Sequence, residues 1–136
     1  IRENMDFEQA QQYLSQKPEA KLSYPFDPDV MVFKVMNKMF ALISPDGGKS
    51  PNKQAQMNLK CDPDQAIELR DIFESVVPGW HMNKRHWNTI YLDGSIPDSE
   101  VERMIDHSYT LVVKGLRKAE LNQLLLHHPE STLFKD

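Results

Sequence analysis

Apolar positions along this chain follow two periods, one helical and one strand-like, and the changes between them lay out the elements. Phe7, Ala10, Gln11 and Leu14 recur at roughly helical spacing, with Tyr13 beside them, behind the good N-cap Asp6. Lys17-Pro18 ends that helix, because the residue before a proline is pushed out of the helical region. Residues 20–26 predict a loop or a short extended piece. Val30 to Val35 alternates, with Val30, Val32 and Lys34 on one face and Met31, Phe33 and Val35 on the other. Asn37-Lys38 predicts a tight turn, and Met39 to Ile43 returns as the second strand of a hairpin. Gln54 to Lys60 is a half-buried strand, with Ala55, Met57 and Leu59 on one face and Gln56, Asn58 and Lys60 on the other.

Asp62-Pro63 then supplies an N-cap followed by proline at the first helical position. Ala66, Leu69, Ile72 and Phe73 form its apolar stripe, and the helix is expected to end near Ser75. A further helix begins at Ile96-Pro97-Asp98-Ser99-Glu100. Val101, Met104, Ile105, Ser108, Leu111 and Val112 give it a core face, and Gly115 stops it. Leu116 to His127 predicts a last helix, starting at a kink or a new cap, and the polar tail 127–136 is expected to fray. The order is helix, strands, helix, strands, helices. It predicts an α+β domain, a mostly antiparallel sheet with helices packed on one face. Residues 5–126 form this single domain. Residues 1–4 are expected to be vector-derived or alternative-start residues before Met5.

Composition changes this picture little. The 136 residues are 40% hydrophobic and 26% charged, ordinary for one globular domain. No apolar run approaches the ~20 residues of a membrane span, and no leader is recognisable, so a cytoplasmic protein without a membrane role is expected. A single cysteine, Cys61, excludes an internal disulfide framework. The net charge of −4 weighs against an extensive duplex-wrapping surface and leaves room for a local basic patch.

Candidate chemistry concentrates between Pro78 and Ser95, which holds both tryptophans, His81, His86 and Lys84-Arg85. The alternation predicts a hairpin: Trp80 and Met82 on one strand, Lys84-Arg85 at the turn, and Trp87 to Leu92 returning before the Asp93-Gly94 turn. Ile90 and Leu92 face the core on this reading, while Trp87, Thr89 and Tyr91 share a partly open face. Two roles then compete. In a recognition hairpin, Lys84 and Arg85 contact phosphate while His81, Asn83, His86 and Trp87 approach the ligand. In a structural hairpin the tryptophans pack and the cations are solvated. A second basic cluster, Lys114, Arg117 and Lys118, either complements helix ends or joins Lys84 and Arg85.

Other chemistry is poorly supported. Gly47-Gly48-Lys49-Ser50 lacks the first glycine of a phosphate loop, since Ile43 stands there, and Pro51 blocks the helix that should follow. The histidines have neither cysteine pairs nor a His-Glu-x-x-His spacing to make a metal site. Asp62 beside Cys61 would raise its thiol pKa, and Ser95 lacks a nucleophile elbow. No cofactor and no enzymatic role are expected.

The run His81-Met82-Asn83-Lys84-Arg85-His86-Trp87-Asn88-Thr89-Ile90-Tyr91-Leu92-Asp93-Gly94-Ser95-Ile96-Pro97-Asp98 resembles the signature of the MmcQ/YjbR family. Met104 to Val112 and the order of elements from Met5 resemble it too, so the likeness covers about Met5 to Leu126. The resemblance implies a small bacterial, cytoplasmic α+β domain with a two-layer, mostly antiparallel sheet, similar in fold to type III secretion chaperones. It also implies DNA binding through a proposed double-wing motif, in a regulatory or accessory role, with no established catalytic residue or cofactor. The signature positions carried over are Asn83, Lys84, His86, Trp87, Asn88 and Asp93. Candidate nucleic-acid contacts are then His81, Asn83, Lys84, Arg85, His86, Trp87, Arg117 and Lys118, in a monomer. The alternative is a protein- or peptide-interaction module with no nucleic-acid role.

Overall fold

The computed structural model describes residues 4–47 and 53–135. Helix α1 (Phe7–Ser15) starts in a capping box, where Asp6 and Gln9 bond each other's backbone N–H. Strands β1 (Lys21–Ser23), β2 (Met31–Val35), β3 (Lys38–Ser44) and β4 (Gln56–Lys60) follow. Helix α2 (Pro63–Ile72) is capped by the Asp62 carboxylate. Strands β5 (Val76–Pro78) and β6 (Trp87–Tyr91) precede α3 (Asp98–Lys114), α4 (Lys118–Leu125) and α5 (Glu130–Leu133). The six strands form one open antiparallel sheet in the order β1-β2-β3-β4-β6-β5. This is the expected α+β architecture.

Register explains which side is covered. Directly opposed residues in antiparallel strands share a face. Met31, Ile43, Met57, Ile90 and Val76 align across five strands, and all are buried in the core beneath the helices. The alternation in β2, β4 and β6 therefore divides inside from outside as the sequence predicts. Helix α3 packs along β3 and β4, with α1 beside it. Val101, Met104, Ile105, Val112 and Ala66 join the same core.

A bulge interrupts the β2–β3 pairing. Phe33 faces Ala41 but Lys34 faces Met39, so Phe40 is the extra residue. Its ring turns toward the helices, 5.2 Å from the Tyr109 ring. The Ser108 hydroxyl donates to the Phe40 carbonyl at 2.6 Å and accepts the Lys60 N–H at 2.9 Å. Two backbone groups left open by the bulge are thereby satisfied. A buried ion pair ties α1 to α3: Lys17 Nζ lies 2.8 Å from Asp106 Oδ1 and 4.9 Å from the Tyr109 ring centre. The Tyr13 hydroxyl donates to the same carboxylate.

Several local expectations are corrected. The β2–β3 turn is centred on Met36 and Asn37, both at positive φ, and Lys38 already begins β3. A two-residue hairpin turn of this hand needs positive φ at both central positions. Helix α2 stops at Ile72, and Ile72 is exposed rather than part of the apolar stripe. This frees Val76–Pro78 to become edge strand β5. The final long helix begins at Lys118 with a new cap rather than a kink. The tail does not fray throughout, because Leu133 is fully buried and Phe134 packs beneath the Lys114 ammonium. Residues 48–51 of the Gly-Gly-Lys-Ser loop lie outside the described residues.

Candidate functional site

The hairpin through Lys84-Arg85 forms with a different outgoing strand, Val76–Pro78 in place of Trp80–Met82. Strand β6 pairs on that side with Val76–Pro78, and residues 79–86 make a loop that crosses the helix-free face of the sheet. Gly79 starts the crossing. A side-chain carbon there would fall 2.9 Å from Trp87 Cβ and 3.0 Å from Met82 Cβ, so only glycine lets the chain pass. His81 takes a positive φ of 57° and bends the loop further.

Hydrogen bonds pin this loop to the sheet. Thr89 donates its hydroxyl to Asn58 Oδ1 at 2.5 Å and accepts the Trp80 N–H at 2.9 Å. Asn58 Nδ2 donates to the Trp80 carbonyl at 3.3 Å. Lys84 Nζ reaches back to the Gly79 carbonyl at 3.1 Å, and Asn83 Oδ1 accepts the Arg85 N–H at 3.0 Å. Arg70, from α2, donates to Asn88 Oδ1 at 2.7 Å and to the Lys84 carbonyl. Asn83, Lys84 and Asn88 of the sequence signature are therefore engaged in shaping the loop. Asp93 does the same at the other end of β6, accepting from the hydroxyls of Ser75 and Ser95, each at 2.6 Å. Burial raises its carboxyl pKa, but these bonds outweigh burial and hold it below the ordinary value.

The loop walls an apolar cleft of about 390 Å³ on the helix-free face. Trp80, His81 and Met82 line it from the 79–86 loop, where Trp80 is bonded to Asn58 and Thr89, and Phe26, Asp27 and Val30 line it from the connection into β2. Leu42, Ser44, Gln56 and Asn58 contribute the strands beneath. Gln56 is only 6% exposed, and among the described residues its Oε1 has no hydrogen-bond partner. Trp80 and His81 stack edge to face with ring centres 3.9 Å apart. Phe26 is 67% exposed on the rim.

Charge is sorted by layer. Every charged residue in the six strands is a lysine: Lys21, Lys34, Lys38 and Lys60. The helices hold ten of the 20 acids against four bases, α3 alone carrying Asp98, Glu100, Glu102 and Asp106. Lys34 is paired with Lys21 on one side and with cleft-lining Met39 on the other, and Lys60 is paired with Trp87. Lys21, Lys34, Lys60 and Trp87 thus share the helix-free face at one end of the sheet. Among the described residues, no ion pair engages Lys21, Lys34, Lys60 or Arg85.

The predicted contacts separate accordingly. His81 borders the cleft, Arg85 is exposed, and Trp87 lies beside the lysines. The His86 carbonyl accepts the Cys61 N–H at 2.8 Å, which extends the β4–β6 pairing. Arg117 and Lys118 stand at the start of α4, where Arg117 pairs with Glu120 and Lys38 is the other cation near that carboxylate. The sequence does not single out Lys21, Lys34, Lys60, Gln56 or Phe26. Alternation puts Lys34 and Lys60 opposite the core residues of their own strands, but their alignment depends on registers between distant segments.

The YjbR family model matches residues 15–111. The chain is 36% identical over 115 residues to the uncharacterised protein YjbR of Escherichia coli (strain K12), covering 85% of this chain and 92% of that one. It is 35% identical over 113 residues to the uncharacterised protein YbdF of Escherichia coli O157:H7, covering 83% and 88%. Among solved structures, Deinococcus radiodurans protein DR2400, with its DUF419 domain, is similar at a TM-score of 0.75 and 34% identity, covering 88% of this chain and 87% of that one. A Pseudomonas syringae protein is similar at 0.68 and 28% identity, covering 79% and 98%.

Proposed function

The chain belongs to the YjbR family, and we propose that it binds nucleic acid along the helix-free face of its sheet. The observation that carries this reading is the sorting of charge. A net charge of −4 argues against a polyanion partner only if the acids are spread evenly, and here the strands present lysine alone. Lys21, Lys34 and Lys60 would contact phosphates, with Arg85 adding a cation where the 79–86 loop turns back toward the same end of the sheet. Trp87 supplies an aromatic neighbour to Lys60. A short row of cations with an adjacent aromatic suits a single strand or a loop better than a long duplex footprint.

Anisotropy titrations of labelled single-stranded and duplex DNA at low salt test this. Replacing Lys34 and Lys60 together by alanine is expected to weaken binding about tenfold or more. The salt slope should drop by about 1.4–1.8 for two lost phosphate contacts. Arg117→Ala with Lys118→Ala serves as the comparison, with less than about a twofold effect expected. Absence of binding at tens of micromolar protein overturns the reading.

A second reading, an extended-peptide module, is favoured by the edge of the sheet. Strand β1 is an edge; Leu22 on it is 41% exposed, and Tyr24 and Phe26 in the connection that follows are 51% and 67% exposed. An apolar edge of this kind can accept an added strand. Selection of apolar peptides from a random display library, lost on Phe26→Ser, would replace the nucleic-acid reading.

A further inference from the structure

Resting on the nucleic-acid reading, we infer that the cleft takes one unstacked base, so that the protein prefers single strands over duplex. Four observations converge on this occupant. The cleft, about 390 Å³, lies within the range of small-molecule sites and accommodates a planar ring. Its lining carries the aromatic side chains Trp80 and Phe26, and every base has a face that can stack on an aromatic ring.

Among the described residues, the strands beneath offer one buried side-chain oxygen without a partner. The Asn58 amide is consumed by Thr89 and Trp80, whereas Gln56 Oε1 is buried and unpartnered. A buried acceptor without a donor is costly, and an incoming N–H relieves that cost. Ring N–H groups and exocyclic amines on a base edge are donors of this kind. An aliphatic occupant would leave Gln56 as it is.

Charge fixes the orientation of the nucleotide. Asp27 lines the cleft, which holds no lysine or arginine among its lining residues. The lysines lie outside it at one end of the same face. Gln56 and Lys60 are four residues apart on β4, about 13 Å along the strand. A base near Gln56 with its backbone running toward Lys60 and Lys34 satisfies both. Bases in a duplex are stacked and paired, so they cannot enter the cleft.

Strands carrying abasic sites keep the phosphates and lack the bases, and so isolate the cleft. Wild-type protein should bind an intact single strand about tenfold more tightly than an abasic strand of equal length. Gln56→Leu removes the unpartnered amide and should fold with unchanged or higher stability. It should flatten any preference among homopolymeric strands while leaving the salt slope as in wild type. Phe26→Ala should lose most of the intact-over-abasic advantage. In a Trp87→Phe background, Trp80 is the remaining tryptophan, and its emission should shift with intact but not abasic strands. Equal affinity for intact and abasic strands overturns the base cleft and leaves the lysine row standing. Binding of neither overturns both. Displacement of Trp80-reported binding by an apolar peptide but not by nucleosides also overturns the base cleft.

Discussion

The Thr89 hydroxyl sits between Asn58 and Trp80, donating to the Asn58 side-chain oxygen and accepting the Trp80 backbone N–H. One atom thereby joins β6, β4 and the loop that walls the cleft. Thr89→Val keeps the shape and removes both bonds, leaving Asn58 Oδ1 and the Trp80 N–H without their partner. The expected cost is about 1–3 kcal/mol in urea denaturation. Amide exchange at Trp80 and Met82 should accelerate more than exchange in α3. Uniform acceleration would show that Thr89 supports the whole domain rather than the cleft wall.

The pair between Lys17 and Asp106 is the buried charge of the helical layer, with side chains 5% and 12% exposed. Lys17→Ala leaves the carboxylate buried with Tyr13 as its remaining donor, and about 3 kcal/mol of stability should be lost. Lys17→Met with Asp106→Leu removes both charges and should recover most of it. A double variant as unstable as the single one would mean that the ion pair itself contributes net stability.

Stability at low pH should depend on Asp93. Its carboxyl is held below the ordinary value when folded and titrates near ~3.9 when unfolded. The unfolded chain therefore takes up the proton first as pH falls. The contribution of Asp93 is fully present above about pH 4 and disappears as pH drops through its lower folded pKa. Asp93→Asn should lower the melting temperature at pH 7 and flatten the stability profile below pH 4. Parallel profiles for variant and wild type would remove Asp93 from the account.

Much of this fold is legible in the sequence because its signals are local. Asp6 and Asp62-Pro63 announce helix starts with their own side chains, and Met31, Phe33 and Val35 mark an inward face by simple alternation. Within the stretch 78–92, residues 87–91 return as the expected strand, but Trp80-His81-Met82 misleads because it alternates as a strand would. Gly79 lets the chain pass close over Trp87 instead, so Val76–Pro78 takes the pairing position. The lysine row is hidden for a different reason. Lys21, Lys34 and Lys60 meet only after the β1–β2, β2–β3 and β3–β4 registers are all set, and no single segment encodes that.

The layering of charge makes the molecule an oriented object in an electric field. Lys21, Lys34 and Lys60 stand on the helix-free face while ten acids stand on the helices, so charge is unevenly divided across the sheet. At physiological salt, fields fade beyond about 8 Å. A polyanion at that range therefore meets the near face rather than the total charge. On the nucleic-acid reading, an approach helices-first would be disfavoured and one sheet-first favoured. The same polarity should let the protein adhere to both anion and cation exchangers near neutral pH, each resin gripping a different side.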